Sequence, residues 1–105
     1  MASSKSSAIN LIKKYILRLK TNNISVEKVL LFGSYIKETS SEDSDIDIAV
    51  ISSAFKGDRY LDRRLIVPLR RGIDSRLEPI PFTSDDYEKG GVLIDEIKST
   101  GQEIT

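Results

Sequence analysis

Apolar positions recur along this chain with two different periods, and the change from one to the other divides it into elements. Ile9, Ile12, Tyr15, Ile16 and Leu19 fall three and four apart, the spacing of one helix face. Ser6 or Ser7 is placed to cap that helix, and Asn22-Asn23 to end it. Lys13, Lys14, Arg18 and Lys20 lie largely off the apolar stripe and read as a solvated face. Ahead of the helix, residues 1–6 are Ser-rich and are expected to form a mobile tail. From Ser25 to Phe32 the chain ends in the continuous run Val29-Leu30-Leu31-Phe32, a strand too apolar for an exposed edge. Gly33-Ser34 turns it into a short segment around Tyr35-Ile36-Lys37. The polar, short-chained stretch from Glu38 to Ser44 reads as a loop.

Asp45 to Ile51 predicts a second, central strand. Asp58 to Arg71 predicts a helix with Tyr60, Leu61, Leu65, Ile66 and Leu69 as its apolar positions, kinked or stopped early by Pro68. Ile73 to Ile80 predicts a third strand, short or at an edge, because Pro79 and Pro81 cannot donate ladder hydrogen bonds. Ser84 opens a last helix with Asp85 and Asp86 in its first turn, Val92, Leu93, Ile94 and Ile97 along it, and Gly101 as its stop. The order α-β-α-β-α-β-α implies an α/β (α+β) fold, a small mixed sheet flanked by helices, in a single domain spanning residues 1–105.

Composition narrows the chemistry. Hydrophobic residues make up 39% and charged residues 30%, the balance of a folded globular chain. Sixteen basic and sixteen acidic residues cancel, so no overall charge argues for nucleic acid, and no direct nucleic-acid binding is expected. There is no cysteine and no histidine, which excludes disulfides, Cys or His metal sites and imidazole catalysis. Carboxylates, hydroxyls, Lys, Arg, backbone groups or a bound metal must carry any reaction. The first residues have no long apolar core of a signal peptide, and no apolar run approaches the ~20 residues of a membrane span, so a cytoplasmic protein with no membrane partner is expected.

Two features stand out against this background. Leu31-Phe32-Gly33-Ser34 puts a small-residue turn after an apolar run. Ten residues later, Asp45-Ile46-Asp47 opens the next apolar run with two carboxylates one residue apart. On a strand, residues two apart share a face, so Asp45 and Asp47 project together and Ile46, Ile48 and Val50 project oppositely. Adjacent carboxylates repel, and such a pair usually takes a cation between them. With oxygen ligands alone that cation is most simply Mg²⁺, one or two ions, completed by phosphate oxygens and water. The Gly33-Ser34 turn suits close backbone approach to an anion.

Gly33-Ser34, ten residues, then Asp45-x-Asp47 resembles the signature of the DNA polymerase β-like nucleotidyltransferases. The short chain resembles their minimal branch, over roughly residues 25 to 105. The resemblance implies a transferase with ATP as substrate, Gly33 and Ser34 on the triphosphate, and Asp45 and Asp47 as metal ligands. A third acid on a later strand would complete the metal site and serve as general base. Two residues are open for it, Glu78 and Asp74, on a strand where Asp74, Arg76 and Glu78 alternate on one face. Glu78 is preferred, so Asp45, Asp47 and Glu78 form the expected catalytic and metal set. Arg63, Arg64, Arg70, Arg71 and, less strongly, Lys37 are candidates for phosphate or partner contacts, set against an ordinary solvated face.

A chain this short leaves little room for an acceptor-binding domain. The resemblance therefore implies a borrowed acceptor: a small HEPN-domain protein, the toxin of a toxin–antitoxin pair, receiving AMP on a hydroxyl. Two alternatives stand beside it. One is a non-catalytic antitoxin that sequesters the HEPN protein; the other is transfer to a small hydroxylated molecule such as an aminoglycoside, with a homo-oligomer also open.

Overall fold

The computed structural model describes residues 5–36 and 44–104. Helix α1 runs Lys5–Thr21, so it takes in residues 5 and 6 of the expected tail, and residues 1–4 lie outside the described part. Its apolar stripe is buried at Ala8, Ile12, Tyr15, Ile16 and Leu19. The stop at Asn22-Asn23 has a backbone reason. Asn23 adopts φ 64°, a left-handed conformation that Asn tolerates, and the chain doubles back with Asn23 N–H bonded to Lys20 O and Ile24 N–H to Leu19 O, both at 3.0 Å.

Strand β1 is Lys28–Phe32, shorter than the expected strand; ahead of it Glu27 N–H still donates to Ile51 O at 2.9 Å, outside the paired register. A single 3-10 turn, Gly33–Tyr35, follows it. Strand β2 is Ile46–Ile51. Of the expected loop, only Ser44 is described, and Lys37 lies outside the described residues. Helix α2 is Arg59–Ile66, capped by the Asp58 side chain accepting from Leu61 N–H at 3.1 Å. Pro68 then tightens the chain into a 3-10 turn over Val67–Arg70, the early stop its missing N–H demands. Strand β3 is Leu77–Phe82, four residues later than the expected start. The displaced start follows from Asp74: its Oδ1 accepts from Arg76 N–H at 2.8 Å, fixing a turn where a strand was expected.

The expected last helix is two. Helix α3, Ser84–Lys89, is capped by Thr83, whose hydroxyl accepts from Asp86 N–H at 3.0 Å; helix α4 is Val92–Thr100. Between them Gly90 and Gly91 take φ 80° and 141°, which no helix accommodates. Gly101 ends α4 as expected, and a two-residue strand β4, Gln102–Glu103, follows unannounced by any pattern.

The four strands lie in the order β3-β2-β1-β4. β2 pairs antiparallel with β1 and parallel with β3, while β4 pairs antiparallel with β1. The sheet is therefore mixed, with β2 central and the proline-bearing β3 at an edge. Side-chain alternation sends Val29, Leu31, Ile46, Ile48, Val50 and Leu77 to a core with α1 and Ile66 of α2. The opposite face sends Leu30, Phe32, Ala49, Ile51 and Phe82 against Ile94 and Ile97 of α4. Tyr15 ties the first layer together from within, its buried hydroxyl donating to Ile66 O at 2.5 Å, and burial pushes that phenol far above its ordinary range. Among the described residues no helix is long and apolar enough to cross a membrane.

Candidate functional site

The site grows out of the parity of β2. Ile46, Ile48 and Val50 commit one face to the core, so Asp47 must share the other with Ala49 and Ile51. Asp47 is only half-buried and sits at the margin of that face, opposite Phe32 where β1 ends. There the chain turns through Gly33, whose φ of +77° and whose closeness to Asp47 both require glycine. A Cβ at this position would run into the Asp47 carboxylate oxygen Oδ2. Ser34 lies in the same 3-10 turn, half-buried. Gly33 and the Asp47 carboxylate, fourteen positions apart in sequence, are thus in van der Waals contact.

Asp45 is exposed and stands one residue before β2 begins. It still acts on Asp47. The Asp47 carboxyl is held above the ordinary carboxylate range first by burial, then by the negative charges of Asp45 and of Glu78. Glu78 is its register partner across the parallel β2–β3 pair. Asp47 therefore feels the charge of one acid just ahead of β2 and of another across on β3.

Asp74 is elsewhere. It precedes β3, in the turn, so the expected face shared by Asp74, Arg76 and Glu78 along one strand does not form. Its carboxylate is consumed by Arg76, with Nη2 to Oδ2 at 2.8 Å and Nε to Oδ1 at 3.0 Å. The Arg76 side-chain hydrogen bond, ahead of all other causes, holds Asp74 below the usual range. Arg76 also reaches the Tyr35 hydroxyl at 3.2 Å, joining this turn to the one after Gly33.

Glu78 is gripped from both sides. Arg63 Nη2 lies 2.9 Å from Oε1, and Arg70 Nη1 lies 3.6 Å from Oε2. Both arginines are also anchored on the β3 backbone, Arg63 donating to Pro79 O at 3.4 Å and Arg70 to Leu77 O at 2.7 Å. Their shared contact with Glu78 is one no sequence pattern showed, because it depends on how α2 and the 3-10 turn after it dock on β3. Arg64 instead lies over the Tyr60 ring at 5.7 Å, and Arg71 offers its carbonyl to Arg18 of α1.

Among the described residues no three carboxylates converge into a ready-made metal cage. The donor set suits a different arrangement. Asp45 and Asp47 offer carboxylate oxygens, and Gly33 brings backbone rather than a side chain up to Asp47. Mg²⁺ commonly takes one or two carboxylates and fills its shell from substrate phosphates and water.

The sequence over residues 12–105 matches the family model described as Polymerase beta, Nucleotidyltransferase. The chain belongs to this nucleotidyltransferase family. Its four-stranded mixed sheet with flanking helices is the fold expected of a minimal polymerase β-like nucleotidyltransferase. No curated protein sequence matches this nucleotidyltransferase significantly. Solved structures do. A candidate nucleotidyltransferase from Sulfolobus solfataricus superposes with a TM-score of 0.66 at 18% identity, covering 94% of this chain and 80% of that one. A toxin–antitoxin structure with AMP-PNP gives 0.63 at 25% identity, over 88% of this chain and 71% of that one. A mutant of the toxin–antitoxin MntA–HpeT gives 0.62 at 22% identity, over 89% and 70%.

Proposed function

We propose that this nucleotidyltransferase moves AMP from ATP to a hydroxyl group of a partner protein, a HEPN-domain toxin that it neutralises as antitoxin. The observation that carries the proposal is the contact between the Gly33 turn and Asp47, with Glu78 in register beside it. Such an arrangement gives an anion-accepting backbone and metal-accepting carboxylates a common floor. The likeness to a toxin–antitoxin structure with AMP-PNP supports both an adenine nucleotide and a protein partner.

In this scheme the Gly33-Ser34 turn binds the triphosphate, the backbone approaching closely and the Ser34 hydroxyl donating to a phosphate oxygen. Asp45 and Asp47 would hold one or two Mg²⁺; a metal bound there supplies charge stabilisation at the entering and leaving oxygens. Glu78, or a water it orients, accepts the proton of the acceptor hydroxyl. The hydroxyl oxygen bonds to the α-phosphorus as the bond to the bridging oxygen breaks, and pyrophosphate leaves with that electron pair. Arg63 and Arg70 orient Glu78.

The same two ion pairs give the runner-up its footing. Glu78 engaged by two guanidinium groups is also what an acid with no catalytic duty looks like, as in an antitoxin that only sequesters its partner. Intact-mass spectrometry of a HEPN partner co-expressed with the wild type or with Asp47→Asn separates the two. An adenylyl adduct present only with the wild type supports transfer. Neutralisation without adduct, equal in both, replaces it with sequestration.

A further inference from the structure

We infer that the outer surface of α2 and the turn after it is the docking site for an acidic, partly apolar segment of the acceptor protein. The inference rests on the transferase reading above and adds where the acceptor is held. Two grooves flank the Val67-Pro68 ridge. One, of about 310 Å³, is walled by Tyr60, Arg63 and Arg64; the other, of about 600 Å³, runs from Arg70 to Ser75. The two arginines that grip Glu78 thus each form a wall of one groove, so an occupant of either groove lies against an arginine that holds Glu78.

The surface has the composition of an unsatisfied interface. Tyr60 is 68% exposed, and Leu61 and Leu65 are nearly half exposed. Between residues 58 and 71 there are five arginines and two acids. Neither acid offsets the arginines: Asp62 is buried and accepts from the N–H groups of Lys56 and Gly57, while Asp58 caps α2. Among the described residues no carboxylate forms an ion pair with Arg59, Arg64 or Arg71. Guanidinium forks recognise carboxylates in pairs, and Tyr and Arg are the side chains that most often anchor protein contacts. Leu61, Leu65, Val67 and Pro68 interleave the charges with aliphatic surface, which favours a polypeptide over a nucleic-acid strand. A peptide can answer both features, whereas phosphates answer only one.

The test uses the full chain and three fluorescent probes: a random glutamate–tyrosine copolymer, polyglutamate, and an oligothymidylate of matched charge. Anisotropy titrations compare the wild type with Arg64→Glu/Arg71→Glu and with Tyr60→Ala, none of which touches Glu78. Binding of Mg·AMP-PNP is measured on the same samples and reports the nucleotide site independently. The expected result is that the copolymer binds more tightly than either other probe, and at least tenfold more weakly to the charge-reversed variant. Tyr60→Ala weakens the copolymer several-fold and leaves polyglutamate nearly unchanged. Copolymer affinity equal in all three proteins, or oligothymidylate bound more tightly than the copolymer, overturns the docking site. Loss of Mg·AMP-PNP binding by the wild type would overturn the transferase reading, while the copolymer titrations still decide the surface.

Discussion

Gly33 and Asp47 touch: the turn that follows β1 passes so close to the carboxylate of β2 that a methyl group at position 33 would displace it. The contact is made possible by the antiparallel β1–β2 register, which sets Phe32 opposite Asp47 and leaves the next residue to fold over it. Backbone and carboxylate then form one surface without an intervening side chain.

Gly33→Ala is expected to be costly twice over. The positive φ is unfavourable for any L side chain by about 1–2 kcal/mol, and the new methyl pushes Asp47 aside. Urea unfolding should show a loss of roughly that size. Mg·AMP-PNP titration should show binding lost or weakened well beyond what the stability loss explains. Gly57→Ala, also at positive φ but with an ordinary contact to Thr83, should lose stability and keep nucleotide binding.

Arg63 is expected to position Glu78 rather than hold the fold. Its ion pair is about one-third exposed on both sides, so Arg63→Ala should cost under about 1 kcal/mol in unfolding experiments. If Glu78 takes the acceptor proton, the same variant should lower kcat by roughly 10²-fold while the KM for ATP stays within a few-fold. Arg63→Lys should recover part of kcat. An equal loss in KM would place Arg63 on the triphosphate.

The two aspartates should respond to pH with opposite signs. Asp47 is raised in the folded protein by burial, Asp45 and Glu78, so its ionisation opposes folding. That opposition is absent at acid pH, where the group is protonated folded and unfolded, and it grows as pH rises through the carboxylate range. Asp47→Asn should therefore be more stable than the wild type at neutral pH without metal, and the difference should fade on acidification. Asp74 is lowered by Arg76, so its ionisation supports folding above the ordinary carboxylate range and loses that support as pH falls through the depressed value. Asp74→Asn should cost about 1 kcal/mol at neutral pH and little in acid. Urea midpoints across pH 3 to 7 check both.

Tyr15→Phe removes a buried donor and leaves Ile66 O without its partner. A loss of about 1–2 kcal/mol in urea unfolding is expected of a buried contact that joins α1 to the end of α2.

Residue pattern carried much of this architecture and stopped at identifiable places. β1, the turn and β2 were legible because alternation and a Gly-Ser break are local, and the same alternation put Asp47 on the face opposite Ile46 and Ile48. Pro68 and Gly101 marked where helices end for reasons confined to a few residues. The choice between Glu78 and Asp74 was not settled locally: both fit an alternating strand, and only the Asp74–Arg76 turn shows that one of them precedes it. Glu78's grip by Arg63 and Arg70 depends on the packing of α2 against β3, which no spacing encodes. Gly90-Gly91 divides the expected last helix in two because both residues take positive φ. β4 is two polar residues held by β1 and has no pattern to read.

The central claim, that the Gly33 turn and the Asp45–Asp47 pair together receive a metal nucleotide, is tested most directly by a crystal grown with Mn²⁺ and AMP-PNP and measured for anomalous scattering. The account predicts a manganese peak within about 2.0–2.4 Å of carboxylate oxygens from Asp45 and Asp47, with the triphosphate over Gly33-Ser34. Nucleotide bound away from that turn, or a Mn²⁺ site that leaves both aspartates unliganded, would contradict it.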